Sequence, residues 1–130
     1  MKIIVTGTAG FIGFHLAKKL LKLGHSVLGI DGMTDYYDVN LKIQRHQILD
    51  EYNLFKKQEL MLDNYSDLKN IFLDYSPEVI IHLAAQAGVR YSLKNPRSYI
   101  DSNLIGTFNI MNIAKDVDLK HLMIASTSSV

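Results

Sequence analysis

The chain has 130 residues, 48% of them hydrophobic and 21% charged, with a formal net charge of +1. That length and balance suit one α/β domain with a modest core, and so small a charge offers no field to gather nucleic acid or an anionic membrane. The absence of cysteine excludes a disulfide, a thiolate nucleophile and a cysteine metal site.

Lys2 to Thr6 is a short apolar run, Ile3-Ile4-Val5, bounded by Gly7, and reads as a strand. Ile12, Leu16, Leu20 and Leu23 then recur at helical spacing, with Lys18, Lys19 and Lys22 on the other side and Gly24 as the stop. Ser26 to Ile30 forms a second strand that ends at Asp31. Residues 32–39 are a polar, tyrosine-rich loop, after which Asn40 can cap a helix from Leu41 to Glu51. Phe55 to Leu62 holds a weaker strand. Asn64 or Ser66 opens a helix carrying Leu68, Ile71 and Phe72, and Pro77 breaks it. Glu78 to Leu83 is a clear strand. Asn95-Pro96 pairs a cap with a proline at the first helical position. The helix from Pro96 to Lys115 carries a stripe of Tyr99, Ile100, Asn103, Leu104, Thr107, Phe108 and Met111. Leu119 to Ala125 is the last strand, followed by Ser126-Thr127-Ser128-Ser129.

Strands alternating with helices imply a parallel sheet covered on both faces, an α/β fold of the doubly wound Rossmann type. Such sheets bind ligands beyond the C-terminal ends of their strands, at the point where strand order reverses. The pattern stops at Val130 on a strand end with no closing helix. The expectation is therefore an incomplete domain over residues 1–130, cut after about the fifth strand.

The first strand leads into Thr6-Gly7-Thr8-Ala9-Gly10-Phe11-Ile12-Gly13. Gly7 allows the tight turn, Gly10 lets backbone approach a pyrophosphate, and Gly13 lets the helix pack closely on the sheet. The diphosphate then sits on the unpaired N–H groups at the positive end of the helix. The glycine spacing is three and three rather than the commoner two and three, and three glycines alone could be a plain turn. Their place between a strand and an amphipathic helix favours dinucleotide binding. Asp31 strengthens this, because a carboxylate at the end of the second strand accepts hydrogen bonds from ribose hydroxyls and repels a 2′-phosphate. NAD is favoured over NADP.

These motifs, with His82-Leu83-Ala84-Ala85, resemble the extended short-chain dehydrogenase/reductase family. Three stretches narrow the likeness to its nucleotide-sugar epimerases of the UDP-glucuronate 4-epimerase type: Asp35 through Lys42, His82 through Ser92, and Asp101 through Thr107. The resemblance spans the whole chain and implies an incomplete NAD-binding Rossmann domain over residues 1–130, with the substrate subdomain absent. It implies a tightly held NAD that oxidises C4 of a UDP-sugar and returns the hydride to the other face after the keto sugar turns over, in capsular or surface polysaccharide synthesis. It implies a cofactor set of Gly7, Ala9, Gly10, Phe11, Ile12, Gly13, Asp31, Lys42, Leu83, Ala84, Ala85 and Asn103. Thr127 matches the position that hydrogen-bonds the reacting hydroxyl, with Ser128, Ser129 and Arg90 as further substrate contacts. A homodimer is implied for the full-length enzyme.

The chain departs from that family in three ways. The family's Tyr-x-x-x-Lys pair would lie past Val130, and Tyr99 has Asn103, not lysine, four positions on. Met61 stands where many relatives carry an adenine-contacting Asp, with Asp63 and Asn64 just beyond. Gly32 replaces an Asn. A sugar-nucleotide 4,6-dehydratase is the alternative, but it needs Asp-Glu after the Thr for elimination, where this chain has Ser128-Ser129. A non-catalytic NAD-binding fragment is the third reading.

Among other candidates, His82 reads as a structural hydrogen-bonding residue rather than a catalyst, and Arg90 divides evenly between an anion contact and a surface arginine. His15, His25, His46 and His121 lack metal-ligand spacing. The stripe on the Pro96–Lys115 helix reads as covering the sheet rather than meeting another subunit. No apolar run nears the roughly 20 residues that cross a bilayer. No signal-peptide pattern follows Met1-Lys2, which fits a cytoplasmic protein.

Overall fold

The computed structural model describes residues 1–127. Five parallel strands form one sheet: β1 (Lys2–Thr6), β2 (Ser26–Asp31), β3 (Phe55–Glu59), β4 (Val79–His82) and β5 (His121–Ile124), in the order β3-β2-β1-β4-β5. Helices α1 (Phe11–Lys22), α2 (Val39–Asp50), α3 (Tyr65–Tyr75), α4 (Pro96–Tyr99) and α5 (Thr107–Ala114) lie between them. The chain moves outward from β1 through β2 to β3, then crosses back to β4 on the other side. Strand order therefore reverses beside β1, and register aligns the ends of β1, β2 and β4, pairing Thr6 with both Ile30 and His82.

The alternation of side chains along β1 divides the core between two faces. Ile3 and Val5 pack with Phe14, Ala17 and Leu21 of α1 and Leu49 of α2. Ile4 points the other way, toward Leu68 and Phe72 of α3 and Ile110 and Ile113 of α5. Strand β3, Phe-Lys-Lys-Gln-Glu, buries only Phe55, and its lysines suit a sheet edge. It ends at Glu59, so Leu60 to Leu62 belong to the following loop.

Local signals account for most boundaries. Gly24, at φ +81°, follows the end of α1, and its N–H donates to the Leu21 carbonyl. Ser76 ends α3 in the left-handed region, just before Pro77. Asn64, not Ser66, caps α3, accepting a hydrogen bond from Asp67 N. Helix α2 starts earlier than expected. Asp38, rather than Asn40, is its cap, and it accepts from Asn40 N at 2.9 Å.

The fourth helical region is not one α-helix. Asn95 and Pro96 open it as expected, but Ile100–Gly106 is a π-helical stretch between α4 and α5. A π stretch changes the angular advance per residue and so redirects the side chains beyond it. The expected stripe consequently points largely outward, with Ile100, Leu104, Phe108 and Met111 all exposed. Ile110 and Ile113 cover the sheet instead. Gly106 allows this helix to press on the loop after β3, since a Cβ there would lie 2.9 Å from Leu62 Cβ.

Candidate nucleotide-binding site

The glycine loop is locked from below by backbone. Gly7 N–H donates to Ile30 O at 2.7 Å, and Gly10 N–H to Gly7 O at 3.0 Å. Gly7 has φ +80°, and a Cβ on it would meet Ala84 N at 3.0 Å. A Cβ on Gly13 would run into the Gly7 carbonyl. Gly10 is the N-cap of α1 and has no side chain to cap it, so the first-turn amides of Phe11, Ile12 and Gly13 stay open. No acidic residue lies in that turn, whereas Lys19 and Lys22 lie in the last one. The positive end of the helix dipole is thus left for an outside anion.

Asp31 reaches across from the end of β2. One carboxylate oxygen accepts from Ala9 N and the other from Met33 N, both at 2.9 Å. Each oxygen keeps acceptor capacity for a ligand hydroxyl. Ala9 itself is fully engaged, because its carbonyl accepts from Arg45 at 2.8 Å and from the Tyr37 hydroxyl at 3.3 Å.

Helix α2 braces the loop with polar side chains. Lys42, His46 and Leu49 form its buried face. Lys42 Nζ donates to the Thr34 carbonyl at 2.5 Å and sits 4.5 Å from the Tyr37 ring centroid. Burial lowers its pKa, and Asp31 and Asp35 pull the other way. His46 Nε2 lies 3.1 Å from Thr8 Oγ1, and burial lowers the pKa of this imidazole too.

On the β4 side, Thr6 Oγ1 accepts from Leu83 N and Ala84 N, each at 3.1 Å. With two amides donating to it, its own proton goes to His82 Nδ1 at 2.8 Å. His82 Nε2 then carries hydrogen toward Thr107 Oγ1 at 2.9 Å. Burial lowers the His82 pKa to about 4, which keeps the ring neutral and fits the structural reading. Asn103 bonds both sides of one peptide position: its Oδ1 accepts from Gln86 N at 2.7 Å and its Nδ2 donates to Gln86 O at 3.0 Å.

These elements enclose a cleft of about 240 Å³ above the end of β1. Of the expected residues, Gly7, Gly10, Asp31, Lys42, Leu83, Ala84 and Ala85 line it. Ala9 and Gly13 stand behind the wall, Phe11 and Ile12 are each 68% exposed at the mouth of α1, and Asn103 acts through Gln86. Arg90 is exposed on a 3₁₀ turn, Val89–Leu93, outside the cleft. Thr127 lies exposed beyond β5 and is not among the residues that line the cleft. Ser128 and Ser129 fall outside the described residues. The two departures at 32 and 61 prove complementary, since the Met61 sulfur occupies the space a side chain at Gly32 would need. Tyr36, Thr34 and Gln86 also line the cleft, and no motif in the sequence marks them individually; the tyrosine-rich loop is the available signal for the first two. The Tyr-x-x-x-Lys spacing does occur at Tyr52–Lys56 and Tyr65–Lys69, but neither pair lines the cleft. Among the described residues no cluster could hold a metal ion, and no helix is long and apolar enough to cross a membrane.

A five-stranded parallel sheet with a glycine loop, an open helix mouth and an acidic residue one strand over defines a Rossmann-type domain of the dinucleotide-binding class. More specifically, the chain belongs to the GDP-mannose 4,6 dehydratase family, whose model matches residues 4–130. It is 57% identical over 130 residues to a probable UDP-glucuronate 4-epimerase of Rhizobium meliloti, covering all of this chain and 38% of the relative. Protein CapI of Staphylococcus aureus is 53% identical over 130 residues, again across the whole chain and 39% of the relative. The UDP-glucuronic acid 4-epimerase of Bacillus cereus, crystallised with UDP-glucuronic acid and NAD, superposes with a TM-score of 0.91 at 37% identity. That match covers 100% of this chain and 41% of the other. The chain thus spans about two fifths of the length of these relatives.

Proposed function

We propose that this chain is the dinucleotide-binding part of an NAD-dependent UDP-glucuronate 4-epimerase. The observation that carries the reading is the uncapped mouth of α1 facing a cleft whose rim holds Asp31. The amides of Phe11, Ile12 and Gly13 hold the diphosphate, and Gly7 and Gly10 leave room for it. Asp31 accepts from the adenosine ribose, with Lys42 beside it. Leu83, Ala84 and Ala85 form the opposite wall, kept in place by Thr6 and Asn103. Bound NAD would supply reversible hydride chemistry at C4 of the sugar. Thr127, with Ser128 and Ser129, orients the reacting hydroxyl, and Arg90 meets an anionic group of the UDP-sugar.

The epimerase reading rests on its relatives. Those at 57% and 49% identity carry UDP-glucuronate 4-epimerase in their names. The family description favours 4,6-dehydration as the second reading, but Ser128-Ser129 supplies no acid–base pair for elimination. A cytoplasmic role in supplying UDP-uronate for polysaccharide synthesis follows from that activity. The outward stripe of Leu104, Phe108 and Met111 supports a homodimer. The test is to incubate a full-length enzyme carrying this chain with UDP-glucuronate and, separately, UDP-glucose, and to identify products by proton NMR, with the 130-residue chain alone expected to bind NAD without turnover. Epimerisation of the uronate at C4 is expected. A 4-keto-6-deoxy product from UDP-glucose would replace this reading with the dehydratase.

A further inference from the structure

We propose that Tyr36, Tyr91 and Tyr99 form a strap across the cleft that sets how slowly the dinucleotide leaves. The inference rests on the reading of the cleft as a dinucleotide site. Strands β2 and β4 flank β1, so the loops that follow them rise on opposite sides of the glycine loop. Tyr36 belongs to the first of these loops and lines the cleft. Its ring centroid stands 4.7 Å from that of Tyr91, in the 3₁₀ turn of the second. A contact between the two passes over the end of β1 and everything bound there.

Two further observations fix the strap at its β4 end. Gly88 has φ +91°, and a Cβ on it would collide with the Tyr36 hydroxyl, so the absent side chain is what lets Tyr36 lie across. Tyr99, on α4, has its ring centroid 6.4 Å from that of Tyr91 and donates its hydroxyl to the Ala87 carbonyl at 3.0 Å, with Gly88 O also in contact. Tyr91 and Tyr99 do not line the cleft. They act through Tyr36 and the 86–88 backbone, which makes them positioning residues. The strap holds by ring contact rather than by burial, since Tyr36 is 40% exposed. Release of ligand therefore needs only this contact to part, while the glycine loop and Asp31 stay fixed.

The test is the dissociation rate of NADH from the preloaded purified protein after dilution into excess NAD, followed by NADH fluorescence. One aromatic pair accounts for roughly a threefold to tenfold change in rate. Tyr91→Ala is expected to speed release by that factor with a smaller change in association rate. Tyr91→Phe keeps the wild-type rate. Tyr36→Ala, at a position exposed enough that folding is not at issue, speeds release at least as much. The double variant is no faster than the faster single one, because both remove the same contact. Wild-type release from Tyr91→Ala and Tyr36→Ala overturns the strap and leaves the dinucleotide site standing. Failure of the wild-type protein to bind NADH overturns both.

Discussion

Replacing Thr6 by valine removes a hydroxyl without changing the shape of the side chain. Three groups lose their partner: the amides of Leu83 and Ala84, and Nδ1 of His82. Thr6 is fully buried and His82 is 3% exposed. A buried polar group left unsatisfied costs about 1–3 kcal/mol. The two amides are only half-buried and recover part of the loss through water, so the total is about 3 kcal/mol rather than the sum of three full penalties. For a domain of this size that corresponds to a fall in Tm of about 10 °C. Thr6→Ser keeps the hydroxyl and gives up one methyl group, at about 1 kcal/mol. Urea denaturation of the wild type and both variants, followed by circular dichroism, measures the difference. Leu83 and Ala84 form a wall of the cleft, so NADH affinity should fall in Thr6→Val and recover in Thr6→Ser. Equal losses of stability in the two variants would refute the relay, since they would show that the hydroxyl contributes nothing.

Three further outcomes follow from the same geometry. His82 is held neutral, with its folded pKa lowered from 6.5 to about 4. Its contribution to stability is therefore complete above pH 6.5 and is lost as pH falls toward 4. The protein should be about 3 kcal/mol less stable at pH 4 than at pH 7 from this group, and His82→Gln should flatten that part of the urea-midpoint profile. Gly13→Ala drives a Cβ into the Gly7 carbonyl; it should destabilise by about 1–3 kcal/mol and weaken NADH binding by more than tenfold in equilibrium titration. In a full-length enzyme carrying this chain, Thr127→Val should depress epimerase turnover while leaving the NADH dissociation constant unchanged, and wild-type turnover would remove Thr127 from the chemistry.

What sequence could reveal depended on whether the signal was local. The runs at Ile3-Ile4-Val5, Ser26–Ile30 and Val79-Ile80-Ile81 are largely apolar, carry β-branched residues and are bounded by glycine, aspartate or proline, so strands β1, β2 and β4 can be read directly. The glycine loop was equally plain, because a turn, a close approach and a helix start each need a glycine at a fixed offset. Helix α2 was harder. Its buried face uses Lys42 and His46, whose polar atoms find Thr34 and Thr8, partners that no periodicity reveals. The π-helical stretch was invisible, since a 3.6-residue pattern carried through Ile100–Gly106 assigns the outward stripe to the sheet. Gly32 and Met61 read as separate departures in sequence, yet they are one packing solution between neighbouring loops. The tyrosine contacts joining Tyr36 to Tyr91 and Tyr99 arise only when β2 and β4 are placed on either side of β1.

The most direct measurement is an NMR titration of the isotope-labelled protein with NAD, reading the backbone amides at the glycine loop. If a diphosphate seats on the mouth of α1, the resonances of Phe11, Ile12 and Gly13 move first and furthest, and those of the distant α3 stay still. Shifts confined to other parts of the chain, with these three amides unmoved at saturating NAD, would contradict the account.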